Sequence, residues 1–292
     1  MLDLAIAYRI YPGVSKAPAL FANDKLSLSE TCLRSFKRAL GQLRIKMWVL
    51  LDGCPPEYEL LFRNLFSDHE LEIVSLSGVG NRRTFSLQID LLTRQTEAAY
   101  VYFAEDDYFY LPDALVKMLA FIRENRDVDF VTPYDHPDSY STSSRLERHL
   151  VRPYGECYWR TASSTCLTFL TSREGLSRTA SIFRSYSSGN SDCSLWLALT
   201  QKLSLADPRI HWHNRVRVKV WAKTWLWGAR RILLGRRYRL WAPLPALATH
   251  VESSCLAPLI DWQNVFHRAE EQPRLKAAEF GHSSECRELT SL

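Results

Sequence analysis

Tyr100-Val-Tyr-Phe-Ala104, running directly into Glu105-Asp106-Asp107-Tyr108, is the stretch from which the fold is read. The first five residues are apolar, aromatic or β-branched, the composition of a buried strand. Three adjacent carboxylates at its end repel one another, which costs stability unless a cation or hydrogen-bond donors compensate. A hard divalent cation bridging a diphosphate would do so, because such ions prefer carboxylate and phosphate oxygens. The plain alternative is a solvated acidic turn.

Towards the amino terminus the same kind of strand recurs. Residues 4–8 read as a first strand and 26–40 as a helix, with Leu26, Leu33, Phe36 and Leu40 at helical spacing. Lys46-Met-Trp-Val-Leu-Leu51 is a second strand, stopped by Asp52-Gly53 and Pro55-Pro56. A helix bearing Tyr58, Leu61 and Leu65 leads to a third strand, 71–76, and Gly78-Val-Gly80 opens the next helix through Leu87, Leu91 and Leu92.

Towards the carboxyl terminus a helix is predicted over 112–124 and a strand over 129–132. After Pro133 the pattern loosens into Ser, Tyr and Arg. Residues 165–170 then read as a strand, 172–183 as a helix, and 192–202 as a further helix capped by Ser191. Strands alternating with helices predict an α/β fold with a mostly parallel sheet flanked by helices. Ligands of such sheets sit beyond the carboxyl ends of the strands, and Asp52, Gly78 to Gly80 and Glu105 to Asp107 all fall there.

The composition agrees with one well-cored unit. Of 292 residues, 46% are apolar and 24% charged, which excludes a disordered chain. The net charge of +5 is too modest to indicate nucleic acid as a partner. Seven scattered cysteines with no C-x-x-C pair argue against a zinc ribbon or a redox pair, and for a reducing, cytoplasmic setting. The amino terminus lacks the pattern of a secretory leader, and no apolar run reaches the ~18 residues that span a membrane.

The order of these features resembles a glycosyltransferase of the GT-A fold, close to family 2, whose members hold a sugar-nucleotide diphosphate through a divalent metal and an acidic DxD-like motif. The resemblance implies that Asp107 is the metal ligand, and that Glu105 or Asp106 faces the donor ribose or sugar. Glu105 stands where the family more often has Asp. Tyr8, at the end of the first strand, joins the implied donor-binding set. Asp52 resembles the residue that contacts the nucleotide base, although Asp-Gly is also a common turn pair. Gly78-Val-Gly-Asn-Arg-Arg83 resembles the loop that passes the donor, with Gly80 admitting close approach and Arg82 or Arg83 meeting a phosphate.

Asn190-Ser191-Asp192 resembles the acidic motif of the acceptor side, which makes Asp192 the candidate base of an inverting transfer. A helix-start Asp favoured by the macrodipole is the other reading. His250, in Ala-Thr-His-Val-Glu-Ser, resembles the late histidine that completes the metal shell; His211 and His213 rank below it. The implied cofactor is Mn2+ or Mg2+ and the implied donor a nucleotide sugar, a UDP-sugar by family frequency. The implied acceptor is a glycan or lipid-linked molecule of bacterial surface polysaccharide synthesis. Tyr134-Asp135-His136 and Trp159-Arg160 are candidates for sugar pockets, or for core and loop.

From Pro208 to Val251 there is no Asp or Glu, while Arg, Lys and Trp abound. Such a mixture suits the headgroup layer of an anionic membrane, and equally a helix packed on the domain or on a second copy in an oligomer. The expected organisation is one GT-A domain over 1–252, with a nucleotide-sugar half at 1–133, an acceptor half at 134–252 containing the basic segment 208–251, and a helical tail at 253–292. A sugar nucleotidyltransferase shares the layout but carries a Gly-rich basic loop after its first strand, where this chain has Tyr8-Arg-Ile-Tyr-Pro-Gly13. A sugar-binding or membrane-docking scaffold without catalysis is the remaining alternative.

Overall fold

Four strands lie where the apolar runs place them: β1 (Leu4–Ile10), β2 (Ile45–Asp52), β3 (Leu71–Leu76) and β4 (Tyr100–Glu105). Between them run α1 (Lys25–Ala39), α2 (Pro56–Leu65) and α3 (Asn81–Arg94). The computed structural model describes residues 1–14, 17–140, 148–201 and 215–270. α1 begins where the Asp24 carboxylate accepts the Ser27 amide at 3.0 Å, and α2 begins on Pro56. After β5 (Tyr108–Tyr110), α4 (Ala114–Glu124) starts later than Pro112 suggests, because Asp113 adopts left-handed backbone (φ 58°).

The second half is richer in strands than the sequence indicates. It contains β6 (Phe130–Val131), β7 (Val151–Tyr154), β8 (Cys157–Ala162) and β9 (Phe169–Ser172), then α5 (Arg173–Arg184), α6 (Asp192–Thr200) and α7 (Arg215–Leu234), and finally β10 (Leu240–Leu244) and β11 (Ala248–His250). The strand expected at 165–170 begins only at Phe169. The residues before it form a loop, in which Thr165 and Thr132 share a buried hydroxyl–hydroxyl hydrogen bond of 2.9 Å.

Nine strands form the central sheet in the order β3-β2-β1-β4-β9-β6-β10-β8-β7. Only β8 and β9 run against the rest, so the sheet is mostly parallel in direction. The chain winds outward from β1 through β2 to β3, then returns to lay β4 on the other side of β1. That reversal opens a crevice at the carboxyl ends of β1 and β4, the usual ligand position in an open α/β sheet.

Side chains alternate across the sheet. Ala5 and Ala7 of β1, with Phe103 of β4 and Phe169 of β9, face the core shared with α3, α5 and α6. There Phe103 stacks on Phe169 at 4.5 Å, and Trp196 of α6 meets Phe169 edge-on at 5.0 Å. Tyr8 and Tyr102 face the opposite side, against Phe36 of α1 and Phe62 of α2.

The segment 208–251 is therefore not one surface element. Trp241 is buried in β10, which pairs with β6 and β8 inside the sheet, and β11 pairs with β5. Helix α7 alone carries the amphipathic part, and residues 208–214, with His211 and His213, lie outside the described residues. The chain forms two compact units, residues 1–260 and 261–292. Of the second unit, residues 261–270 are described and contain α8 (Trp262–Glu270), whose Trp262 and Phe266 rings lie 6.1 Å apart; the remainder of the expected tail is outside the described residues.

Candidate functional site

The crevice is pinned from below by Gln88 of α3. Its buried amide donates to Ala7 O at 2.7 Å and to Ala104 O at 3.1 Å, tying α3 to the ends of both β1 and β4. The turn before α3 is organised by Asp52, whose two oxygens accept the Val79 amide (2.6 Å) and the Gly80 amide (2.8 Å). Gly78 and Gly80 both take positive φ (75° and 85°), and a Cβ on either would meet nothing within 4 Å. Their Cα hydrogens therefore face open space. Asp52 thus shapes the loop, which is the turn reading of that residue.

Arg82 and Arg83 follow in the first turn of α3, exposed, their guanidiniums without a hydrogen bond or ion pair to any described residue. Cations at the amino end of a helix oppose its macrodipole, so two guanidiniums there cost stability unless an anion binds. Arginines beside a helix amino terminus are groups of the kind that bind phosphate.

The three acidic residues have three different fates. Glu105 pairs with the buried guanidinium of Arg9 and also accepts the Thr168 hydroxyl at 2.8 Å. Asp106 turns to the other face and pairs with Lys25 at 2.6 Å, both side chains almost fully buried. Burial, together with neighbouring Asp107, raises Asp106 to about 6 against the pull of Lys25. Both carboxylates are thus already paired with cations, Asp106 in the interior and Glu105 partly exposed. Tyr8 is buried too: its ring is 1% exposed, wedged between Phe36 and Phe62.

Asp107 is the acid that faces the crevice. Its Oδ2 lies 3.1 Å from His250 Nε2, while Oδ1 is buried without any hydrogen-bond partner. Burial alone would raise this carboxyl, but His250, Lys25 and Arg9 overcome it and hold it below the usual value. In His250 the same balance runs the other way: burial opposes protonation, Asp107 outweighs it, and the imidazole pKa is raised. The β5–β11 pair creates this contact by setting His250 opposite Tyr108, next to Asp107.

These residues fit a divalent cation. An orphaned carboxylate oxygen is a ready ligand, and neighbouring ligand atoms of an octahedral ion stand about 3 Å apart. Donor atoms of His250, Glu252 and Cys255 also lie within 4.8 Å of one another. Of these two, the Glu252 carboxylate suits a hard ion better than the Cys255 thiol.

Asp192 is the first residue of α6, and its Oδ1 accepts the Cys193 amide at 2.7 Å. Burial and then the charge of Glu105 push up the Cys166 thiol, and the charges of Asp192 and Asp107 add to that shift. Tyr186 links the two sides of the crevice: its hydroxyl accepts from Asn81 Nδ2 at 3.3 Å, and its ring packs on Phe85 of α3 at 5.4 Å. The His136 ring meets Tyr134 edge-on at 5.2 Å, and burial lowers its pKa against the pull of Asp138 and Asp192.

The other proposed sugar-pocket residues are internal. Trp159 stacks on Phe121 at 4.2 Å and Tyr134 is 1% exposed, while Arg160 pairs with Asp135 in the interior. Arg9, Lys25, Thr168 and Tyr186 are site residues that the sequence did not single out. Arg9 alone left a signal, as a charge inside the apolar run Leu-Ala-Ile-Ala-Tyr-Arg-Ile, where an ionised side chain needs a partner.

No family model and no curated protein matches the sequence. Among solved structures, the chain is similar to a mannosyltransferase from Pyrobaculum calidifontis in complex with GDP-Man and Mn2+ (12% identity, 45% of this chain, 35% of that one, TM-score 0.34). It is also similar to S. aureus TarS 1-349 in complex with UDP-GlcNAc (11% identity, 63% of this chain, 52% of that one, TM-score 0.41). A third is a CMP:2-keto-3-deoxy-manno-octonic acid synthetase complexed with CTP (13% identity, 66% of this chain, 84% of that one, TM-score 0.38). The chain spans between a third and about half the length of the first two. Likenesses this loose carry no argument about what this chain does.

Proposed function

We propose that the protein is a metal-dependent, inverting glycosyltransferase that moves a sugar from a nucleotide-sugar donor, a UDP-sugar, to a hydroxyl of a glycan or lipid-linked acceptor. What supports this reading is the Asp107–His250 pair just beyond β4, with Oδ2 and Nε2 3.1 Å apart and Asp107 Oδ1 buried without a hydrogen-bond partner.

Arg82, Arg83 and the first-turn amides of α3 would hold the donor diphosphate, with Gly78 and Gly80 leaving room for it. Asp107 and His250 would hold the divalent cation, which would neutralise charge developing on the leaving diphosphate. Asp192 takes the proton of the acceptor hydroxyl as that oxygen bonds to the anomeric carbon and the carbon–phosphate-oxygen bond breaks on the opposite face. Arg9 keeps Glu105 neutralised and Lys25 pairs with Asp106, so that Asp107 Oδ1 is the oxygen of the motif left for a cation.

A ligand that binds only the native state raises its melting temperature by mass action. The test is a melting panel of nucleoside diphosphates and nucleotide sugars with and without Mn2+. A shift that requires Mn2+ and disappears in Asp107→Ala supports the reading. No shift with any nucleotide at millimolar concentration overturns it in favour of a scaffold without catalysis.

A further inference from the structure

Helix α7 is fixed on one side and bare on the other. Its inner side is clamped to α6. A Cβ on Gly228 would come within 2.5 Å of Ala198 Cβ, Ser194 Oγ donates to Val220 O at 3.2 Å, and Thr224 is fully buried. Lys223 and Arg231 also turn inward, donating to Gly189 O at 2.7 Å and to Arg178 O at 2.8 Å.

The outer side combines large apolar groups with cations. Leu226 is 76% exposed, Leu233 67%, Leu234 82% and Trp227 38%. Lys219 and Arg230 share this face by helical spacing, exposed and without a hydrogen bond or ion pair to any described residue. α7 contains no acidic residue at all. Ordinary surface helices bury their apolar stripe and solvate their charged one. Here the stripe facing solvent is both apolar and cationic, and the inner face is already occupied.

We propose that this outer face of α7 docks on an anionic lipid bilayer, lying flat in the headgroup layer. The leucines and Trp227 enter the acyl boundary, while Lys219 and Arg230 meet lipid phosphates. An uncharged apolar partner would leave those cations desolvated and unpaired, and a second copy of α7 would set like charges against one another. An anionic surface satisfies both components. No helix among the described residues is long and apolar enough to cross a membrane, so the contact is one of lying on rather than spanning. The proposal stands whether or not the protein transfers sugars.

The full chain is sedimented with phosphatidylcholine vesicles and with vesicles that also contain phosphatidylglycerol. The expected result is pelleting with the anionic vesicles alone, weakened by salt. K219E/R230E should lose roughly fivefold or more in partitioning per cation removed. The triple variant L226S/L233S/L234S should also release the protein, with an unchanged melting temperature showing that the fold is intact. Equal pelleting with both vesicle types, or with neither, overturns the proposal. So does a dimer in analytical ultracentrifugation that the serine variant dissociates while vesicles bind nothing, since the face then belongs to a second copy. Nucleotide-dependent melting shifts, read on the same variants, keep a failure of docking distinct from a failure of the donor site.

Discussion

His250 Nε2 stands 3.1 Å from Asp107 Oδ2, and the charge on each stabilises the other. The sign of the pH dependence follows. His250 has a folded pKa above its unfolded value of about 6.5, so its contribution is complete below that value and is lost as pH rises through the folded pKa. Asp107, with a depressed pKa, contributes above its unfolded value and loses that contribution as pH falls through the folded one.

The metal-free protein should therefore lose melting temperature as pH is raised above about 6.5, and His250→Gln should flatten that slope. Metal binding runs in the opposite sense, because a ligating imidazole must be neutral. The Mn2+-induced shift should grow with pH over the same interval and shrink towards about pH 6. Melting curves with and without Mn2+ across that range test both halves. A Mn2+ shift independent of pH would remove His250 from the metal shell.

Arg9 supports a second prediction. Its guanidinium neutralises Glu105 and donates to Asn81 O at 3.0 Å, so it holds the acidic motif and the start of α3 together. Arg9→Met leaves a carboxylate with little solvent and no cation, and breaking such a pair typically costs about 3–5 kcal/mol. Arg9→Met with Glu105→Gln removes both charges and should recover much of that loss. Urea unfolding of the two variants decides it; equal stability of single and double variants would mean that Glu105 is well solvated.

The same residue shows what was legible in the sequence. Strand β1 was readable as a strand, but its facing was not. Tyr8 shares its face with Leu4 and Ile6, whereas Arg9 shares a face with Ala5 and Ala7 and points towards α3. A strand changes face with every residue, so choosing Tyr8 for the donor placed the side chain on the wrong side of the sheet. The first four strands were legible because each is an apolar run bounded by turn residues. β5 and β11 were not, since three residues are too few to show a period. β10 was hidden by Pro243 and by its basic neighbours. The structure admits the proline because β6 accompanies β10 only at Leu240 and Trp241. Asp107 and His250 were named from motif order, while their contact depends on a strand pair that local pattern does not reveal.

Gly228 tests the clamp between α6 and α7. In a free helix, Gly→Ala is favourable by about 1 kcal/mol. At this site the new methyl would overlap Ala198 Cβ, and overpacking of this kind costs about 1–3 kcal/mol. The clash should win, so Gly228→Ala lowers the melting temperature, and adding Ala198→Gly restores it. A stabilised single variant would mean that the two helices separate freely.

Asp192→Asn separates catalysis from architecture. The helix start survives the change, because Ser191 supplies the capping oxygen to Ser194 N and asparagine keeps the shape of aspartate. Loss of one charge at that end of α6 costs about 0.3–1 kcal/mol at most. Donor binding should be untouched, so the nucleotide-dependent melting shift stays. The transfer rate should fall by about two to four orders of magnitude, the usual worth of a positioned base. Full activity in Asp192→Asn would transfer the role of base to His136. Burial lowers the pKa of that imidazole against the pull of Asp138 and Asp192, which favours the neutral form that accepts a proton.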